Sequence, residues 1–174
     1  MPLRLLITDF DGTIVESVEI KTEAFRELFG VYPDRLERIM AYHLSHNGIS
    51  RFVKFKYIYE EILGIPFDDE LRQRVGRRFS EVVFRRVVGC PFVRGAEEFL
   101  RRFSSRVPMY LVSASPEDEL PRVVAARGLA AHFRGVYGSP ETKPDHVRRI
   151  LAREATAPGE ALYVGDSVED YRVA

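Results

Sequence analysis

Asp9 and Asp11 stand two residues apart at the end of the apolar run Leu3-Arg-Leu-Leu-Ile-Thr8, and alternation along an extended chain puts both carboxylates on one side. That spacing suits two acids acting on one group. Ser113 ends the run Met109 to Val112, and Gly165-Asp166 ends Ala161 to Val164, with Asp170 one helical turn further on. Lys143 stands just before Pro144-Asp145, where a helix should begin. A cation is unfavourable at the positive end of a helix dipole, so Lys143 needs an anionic partner. Each signal also has a plainer reading. Asp11-Gly12 reads as a hairpin turn with Thr13-Ile-Val15 returning. Ser113 reads as a polar strand end, and Asp166 or Ser167 as the cap of a last helix, since Ser167-Val-Glu-Asp170 approximates a capping box. Together, however, the four fall in order at strand ends, where an open parallel sheet binds its ligands.

The elements that must position these groups change character along the chain. Short apolar runs at Leu3 to Thr8, Met109 to Val112, Phe133 to Tyr137 and Ala161 to Val164 read as buried strands. Helical stretches at Gly95 to Phe103, Leu120 to Arg127 and Asp145 to Glu154 alternate with them, which predicts an α/β fold with a parallel sheet and helices on both faces. Residues 17–89 differ. Apolar residues there recur at three and four, as in Phe52, Phe55, Tyr59 and Ile62, and breaks at Gly30, Asn47-Gly48 and Gly64-Ile-Pro66 divide the block into about four helices. The spacing therefore predicts residues 1–16 and 90–174 as one α/β core, with a helical unit at 17–89 inserted after the first strand. The chain stops a few residues into a helix that starts near Val168, so it reads as truncated.

Composition narrows the function. The 174 residues hold 26 Lys+Arg against 26 Asp+Glu, with 45% apolar and 30% charged, the profile of a globular protein with no net charge to draw it to nucleic acid. The one cysteine, Cys90, reads as a buried small apolar residue, and its lack of a partner suits a reducing compartment. Leu3 to Ile7 falls short of the 7 to 15 apolar residues of a signal peptide, and no stretch approaches the roughly 18 of a membrane span. The expectation is a cytoplasmic protein, a monomer or homodimer, with no membrane or nucleic-acid partner.

The motifs themselves resemble the haloacid dehalogenase superfamily. Asp9-Phe-Asp-Gly-Thr13 is similar to its first motif, Leu111-Val-Ser113 to its second, Lys143 to its third and Gly165-Asp-Ser-Val-Glu-Asp170 to its fourth, in the right order. The helical block after Asp-Gly-Thr-Ile-Val-Glu-Ser17 resembles the α-helical cap of the phosphoglycolate phosphatase-like branch, on a Rossmann-like three-layer core. The resemblance implies a phosphatase acting on a small phosphorylated metabolite, phosphoglycolate or a sugar phosphate. It implies Asp9 as nucleophile, forming an aspartyl-phosphate, and Asp11 as general acid and then base. Mg²⁺ would be held by Asp9, Asp166 and the backbone carbonyl of Asp11. Thr13, Ser113 and Lys143 would bind the phosphoryl group, and Asp170 would orient Lys143 or a metal-bound water. The physical need is plain, because a carboxylate attacks a dianion only where cations neutralise both.

In the helical block, Asn47-Gly48 reads as a helix end and Ser50 as the next N-cap, which places Arg51 and Lys54 in a first turn where cations are unfavourable. One reading has Arg51 and Lys54, with His43, His46 or Asn47, facing the cleft to bind the leaving group. The other makes them a solvated helix face. Arg72, Arg74, Arg77, Arg78, Arg85 and Arg86 spread around their helix and read as solvating it, while His132 and Tyr163 read as structural. Two further alternatives are a phosphomutase of the same fold and a phospho-acceptor signalling domain, which also gathers acids, a hydroxyl and a Lys around a phosphorylated Asp.

Overall fold

A computed structural model describes residues 3–174. Four parallel strands form the sheet: β1 (Leu5–Thr8), β2 (Met109–Pro116), β3 (Gly135–Ser139) and β4 (Ala161–Val164), in the order β3-β2-β1-β4. β1 sits inside the sheet and is buried on both faces, as its unbroken Leu-Leu-Ile run requires. Leu6 joins the larger apolar cluster on one face, whereas Leu5 and Ile7 pack with Tyr110, Val112 and Ile150 on the other. α5 (Ala96–Phe103) and α6 (Leu120–Ala126) send Leu100, Val123 and Val124 into the first cluster, and α7 (Lys143–Arg153) sends Ile150 into the second. The result is the expected three-layer α/β core. α8 (Val168–Val173) follows β4 and opens on the Ser167/Asp170 capping box that the sequence suggests.

Between β1 and β2 the chain builds the helical insertion from α1 (Val18–Phe29), α2 (Pro33–Ser45), α3 (Arg51–Tyr57) and α4 (Asp69–Gly89). α3 continues as a π-helical turn over Ile58–Leu63 that ends at Gly64. Phe25, Phe29, Phe55 and Phe79 meet at ring distances of 5.2 to 6.0 Å and form the centre of this unit. The same apolar cluster runs on through Phe10, Ile14 and Val15 into the sheet, so the insertion is packed onto the core. Among the described residues no helix is long and apolar enough to cross a membrane.

Three local expectations change. β3 begins two residues later than the apolar run Phe133 to Tyr137 suggests, because Ala130–His132 forms a short 3₁₀ turn and pairing with β2 extends to Ser139. β2 continues past Val112 to Pro116 through a register shift. The hairpin reading of Asp11-Gly12 is not met: Val15 makes a single parallel bridge to Asp11 and an antiparallel one to Phe92 and adds no antiparallel strand to β1, while the Gly12 amide donates to the Val15 carbonyl at 2.8 Å. Cys90 is buried, 8% exposed, in the apolar cluster.

Candidate active site

Asp9 leaves the end of β1 as a residue only 4% exposed. Its Oδ1 accepts from the Phe10 amide at 2.6 Å and its Oδ2 from Lys143 Nζ at 2.8 Å. Lys143 Nζ also donates to Asp170 Oδ1 at 2.6 Å, so the cation misplaced at the start of α7 is buried between two carboxylates from different elements. Asp170 is further satisfied by Tyr163 Oη at 2.9 Å and by the Ser167 amide and hydroxyl. The two acids differ for that reason. Burial pushes the Asp9 carboxyl up to about 7 despite the attraction of Lys143. Burial acts on Asp170 in the same direction, but Lys143, Ser167 and Tyr163 outweigh it and hold that carboxyl below its ordinary range. Tyr163, which the sequence reads as structural, thus serves the partner of Lys143.

Asp11 is placed in a ring of donors. Ser17 Oγ donates to its Oδ1 at 2.5 Å, while Ser115 Oγ at 3.0 Å and Ser113 Oγ at 3.3 Å donate to its Oδ2. Lys21 Nζ, from α1, pairs with the same Oδ2 at 2.5 Å and donates to Ser115 Oγ at 2.8 Å. Burial opposes the charged form, yet Lys21, Ser17 and Ser115 together keep the Asp11 carboxyl low. Sequence reasoning missed Lys21, Ser17 and Ser115. Lys21 interrupts the apolar stripe of Phe25 and Phe29 at i, i+4 and i+8, and Ser115 shares the strand face of Ser113, so both had a readable signal.

Asp166 comes from the loop after β4, with Thr13 Oγ1 donating to its Oδ1 at 3.4 Å. Burial first and the nearby Asp170 second raise its carboxyl above the ordinary value. Gly12 lies against it: φ is +74° and a Cβ would fall on the Asp166 carboxylate, so only glycine fits there. Asp9, Asp166 and Asp170 bring carboxylate oxygens within 4.8 Å of one another. Asp170 accepts four hydrogen bonds on its two oxygens, against one on each Asp9 oxygen and a single long one on Asp166, so Asp9 and Asp166 keep the more lone pairs for a cation. An all-oxygen donor set whose two available acids are both raised fits a hard divalent ion such as Mg²⁺.

The haloacid dehalogenase-like hydrolase family model matches residues 3–174. The chain belongs to that family. Among curated relatives, the phosphoglycolate phosphatase of Pseudomonas putida (strain KT2440) is 26% identical over 182 residues, covering 98% of this chain and 65% of the relative. The chain thus spans just under two thirds of that relative's length. The phosphoglycolate phosphatase of Photobacterium profundum is 24% identical, covering 99% of this chain and 79% of its own. Among solved structures, CbbY from Rhodobacter sphaeroides in complex with phosphate shares the fold with a TM-score of 0.76 at 17% identity, over 98% of this chain and 81% of that one.

In this haloacid dehalogenase-like chain the helical insertion roofs a partly open pocket of about 120 Å³ over Asp9, Asp11, Ser113 and Asp166. Lys21, His43, Arg51 and Lys54 line it from the helices. Arg51 is already engaged, its Nη2 donating to Ser80 Oγ at 2.9 Å and pairing with Glu119. Lys54 is 5% exposed, with Nζ 3.4 Å from His43 Nδ1, 3.3 Å from the His43 carbonyl and 5.6 Å from the Phe25 ring centre. His43 is itself neutral, lowered to about 3 by burial and then by Lys54, and its Nε2 lies 3.2 Å from Thr22 Oγ1. Lys54 is therefore a buried cation with no acid beside it among the described residues.

Burial, with Lys21 adding repulsion, lowers the Lys54 ammonium from 10.5 to about 8. Between those two values the unfolded chain holds a proton that the folded protein has lost, so this group's contribution to stability rises with pH across that window. Lys54→Met has no charge to bury. The variant is expected to be the more stable protein at pH 7, with its advantage shrinking between pH 8 and pH 10.5, read from urea midpoints at both ends. An advantage that stays constant with pH would contradict the buried-cation account.

Proposed function

We propose that the protein is a Mg²⁺-dependent phosphatase that hydrolyses a small phosphomonoester, phosphoglycolate or a sugar phosphate, through an aspartyl-phosphate on Asp9. The core would comprise residues 1–16 and 90–174 and the specificity cap residues 17–89. The observation that carries the reading is the pair of acids two residues apart in opposite settings, Asp9 against Lys143 and Asp11 inside its ring of donors. Asp9 would attack phosphorus as the bond to the leaving oxygen breaks, with Asp11 giving that oxygen a proton. Asp11 would then take a proton from water, which attacks the same phosphorus and releases phosphate and free Asp9. As found, Asp11 is in the charged form that the second step needs; the phosphoryl dianion arriving beside it would oppose that charge, so Asp11 would take up a proton as substrate binds and give that proton to the leaving oxygen. Lys143 would neutralise Asp9 and the phosphoryl oxygens together, and Ser113 and Thr13 would bind those oxygens. Asp170 would hold Lys143 in place. Asp9, Asp166 and the Asp11 carbonyl would hold Mg²⁺, which supplies further neutralisation of the phosphoryl charge.

The names of the two curated relatives support phosphoglycolate as the first substrate to test. Lys54 supports an anionic leaving group, since an acid there would pair the buried ammonium, whereas Arg51 would contribute with the donors that Glu119 leaves free. The reading predicts hydrolysis of p-nitrophenyl phosphate in Mg²⁺ that EDTA stops and added Mg²⁺ restores. A chain that releases no phosphate from that ester or from a panel of phosphometabolites, with metal present, would overturn it.

A further inference from the structure

Arg51, Phe84 and Glu119 belong to two cavities at once. Beside the catalytic cavity, between α4 and the start of α6, lies a groove of about 770 Å³, and these three residues line both. Glu119 just precedes α6 on the core, and it is held from the insertion by Arg51 at the start of α3 and by the Ser80 hydroxyl of α4. Among the described residues this is one of two ion pairs that join the helices of the insertion to the core, the other being Lys21 with Asp11. The Arg51 guanidinium lies 5.2 Å from the Phe52 ring centre and 5.1 Å from that of Phe79, which fixes its plane. On the groove side Phe84 carries the guanidinium of Arg122 at 5.4 Å.

We infer that Arg51, Glu119 and Phe84 form a wall that sets the length of the leaving group, an inference that rests on the phosphatase reading above. A cavity of about 150 Å³ holds one benzene, so a space of about 120 Å³ over Asp9 suits a phosphoryl group with a short tail better than one that carries a hexose. Past the wall the space is more than sixfold larger in these terms and is lined by Arg51, Arg72, Arg77, Arg85 and Arg122 against Asp69, Glu81, Asp118 and Glu119. Losing Glu119 would leave five arginines against three acids. The groove behind an opened wall would therefore take a longer leaving group that ends in a second anion. Arg51 is thereby a specificity-determining residue through what it closes, and Glu119 acts through Arg51.

Two variants open the wall in different ways. Glu119→Ala releases Arg51 and Ser80, whereas Phe84→Ala shortens the wall and keeps the ion pair, so either carries the test if the other fails to fold. With Mg²⁺ present, kcat/KM is measured for 2-phosphoglycolate and for fructose 1,6-bisphosphate. The wild-type chain is expected to favour the short ester, and each variant to raise the ratio of long to short by about tenfold or more. Glu119→Gln keeps an acceptor for Arg51 and Ser80 and is expected to hold the wild-type ratio, which a general loss of packing would not distinguish. An unchanged ratio in variants that still hydrolyse 2-phosphoglycolate overturns the inference, as does a wild-type chain that prefers the bisphosphate. Failure of the wild-type chain on every ester overturns the phosphatase reading itself.

Discussion

Asp9→Asn is expected to abolish hydrolysis, by on the order of 10⁴-fold or more, while leaving the protein folded. The amide keeps the shape of the carboxylate and still accepts a hydrogen bond, so Lys143 retains contacts with residue 9 and with Asp170. It cannot attack phosphorus. The same substitution has a second, independent signature. In metal-free protein burial raises the Asp9 carboxyl from 3.8 to about 7, so between those values the folded state holds a proton that the unfolded chain has lost. The contribution of Asp9 to stability therefore falls as pH rises through that window. The amide of the variant does not titrate and has no such loss. The stability difference is expected to move toward the variant between pH 4 and pH 7, by a few kcal/mol at most, in urea unfolding with EDTA present. A difference that does not change with pH would mean that Asp9 is not held in the setting described.

Lys143→Met is expected to be damaging in both stability and rate. Lys143 is 7% exposed and bonds to carboxylates of which Asp9 is 4% and Asp170 2% exposed. Removing one partner of a buried charge network costs about 3 to 5 kcal/mol, because the remaining charges lose compensation. Asp9 can escape part of that cost by staying protonated, whereas Asp170 keeps Tyr163 and Ser167 as donors. The loss should therefore be smallest near pH 5 and grow toward pH 8, where Asp9 must ionise against its burial. Turnover is expected to fall by about 10²- to 10⁴-fold, the range for removing a preorganised group that stabilises transition-state charge. Lys143→Arg should not restore it, since a planar guanidinium does not fit where a compact ammonium meets two acids at 2.8 and 2.6 Å. Near wild-type stability and turnover in Lys143→Met would contradict the central place given to this residue.

Much of this arrangement is legible before any coordinates, for a physical reason. A parallel strand reads as an unbroken apolar run, so the polar residue that breaks it is conspicuous: Asp9 follows the fully buried β1, Ser113 is the first polar residue of β2 although that strand continues to Pro116, and Asp166 follows the partly exposed β4. The misplacement of Lys143 shows in the sequence too, because helix-dipole and proline rules fix where α7 begins. The helical insertion is equally clear from its three-and-four periodicity. What stays hidden depends on how that insertion sits on the core. Lys21 and Asp11 are near in sequence, but their contact follows from α1 turning back over the end of β1. Arg51 meeting Glu119, and Ser50 meeting Ser139, depend on a closure that local pattern does not encode. Gly48 shows the same dependence: its φ of +85° marks a turn, but the close approach of Ser167 that leaves no room for a Cβ is a tertiary fact. β3 is misplaced by two residues because Phe133 is apolar for packing against the larger cluster, whereas Ser139, which does pair, and Gly138 beside it have weak strand preference.

The measurement that bears most directly on the whole account is the identity of the residue that carries phosphate during turnover. Protein supplied with Mg²⁺ and a hydrolysed ester is quenched in mid-reaction, reduced with borohydride and digested, and the peptides that carry Asp9 with Asp11 and Asp166 with Asp170 are read by mass spectrometry. The account predicts that Asp9 alone is converted to homoserine, and that Asp9→Asn yields no converted residue. Conversion at Asp11, Asp166 or Asp170, or turnover with no acyl-phosphate at any aspartate, would contradict it.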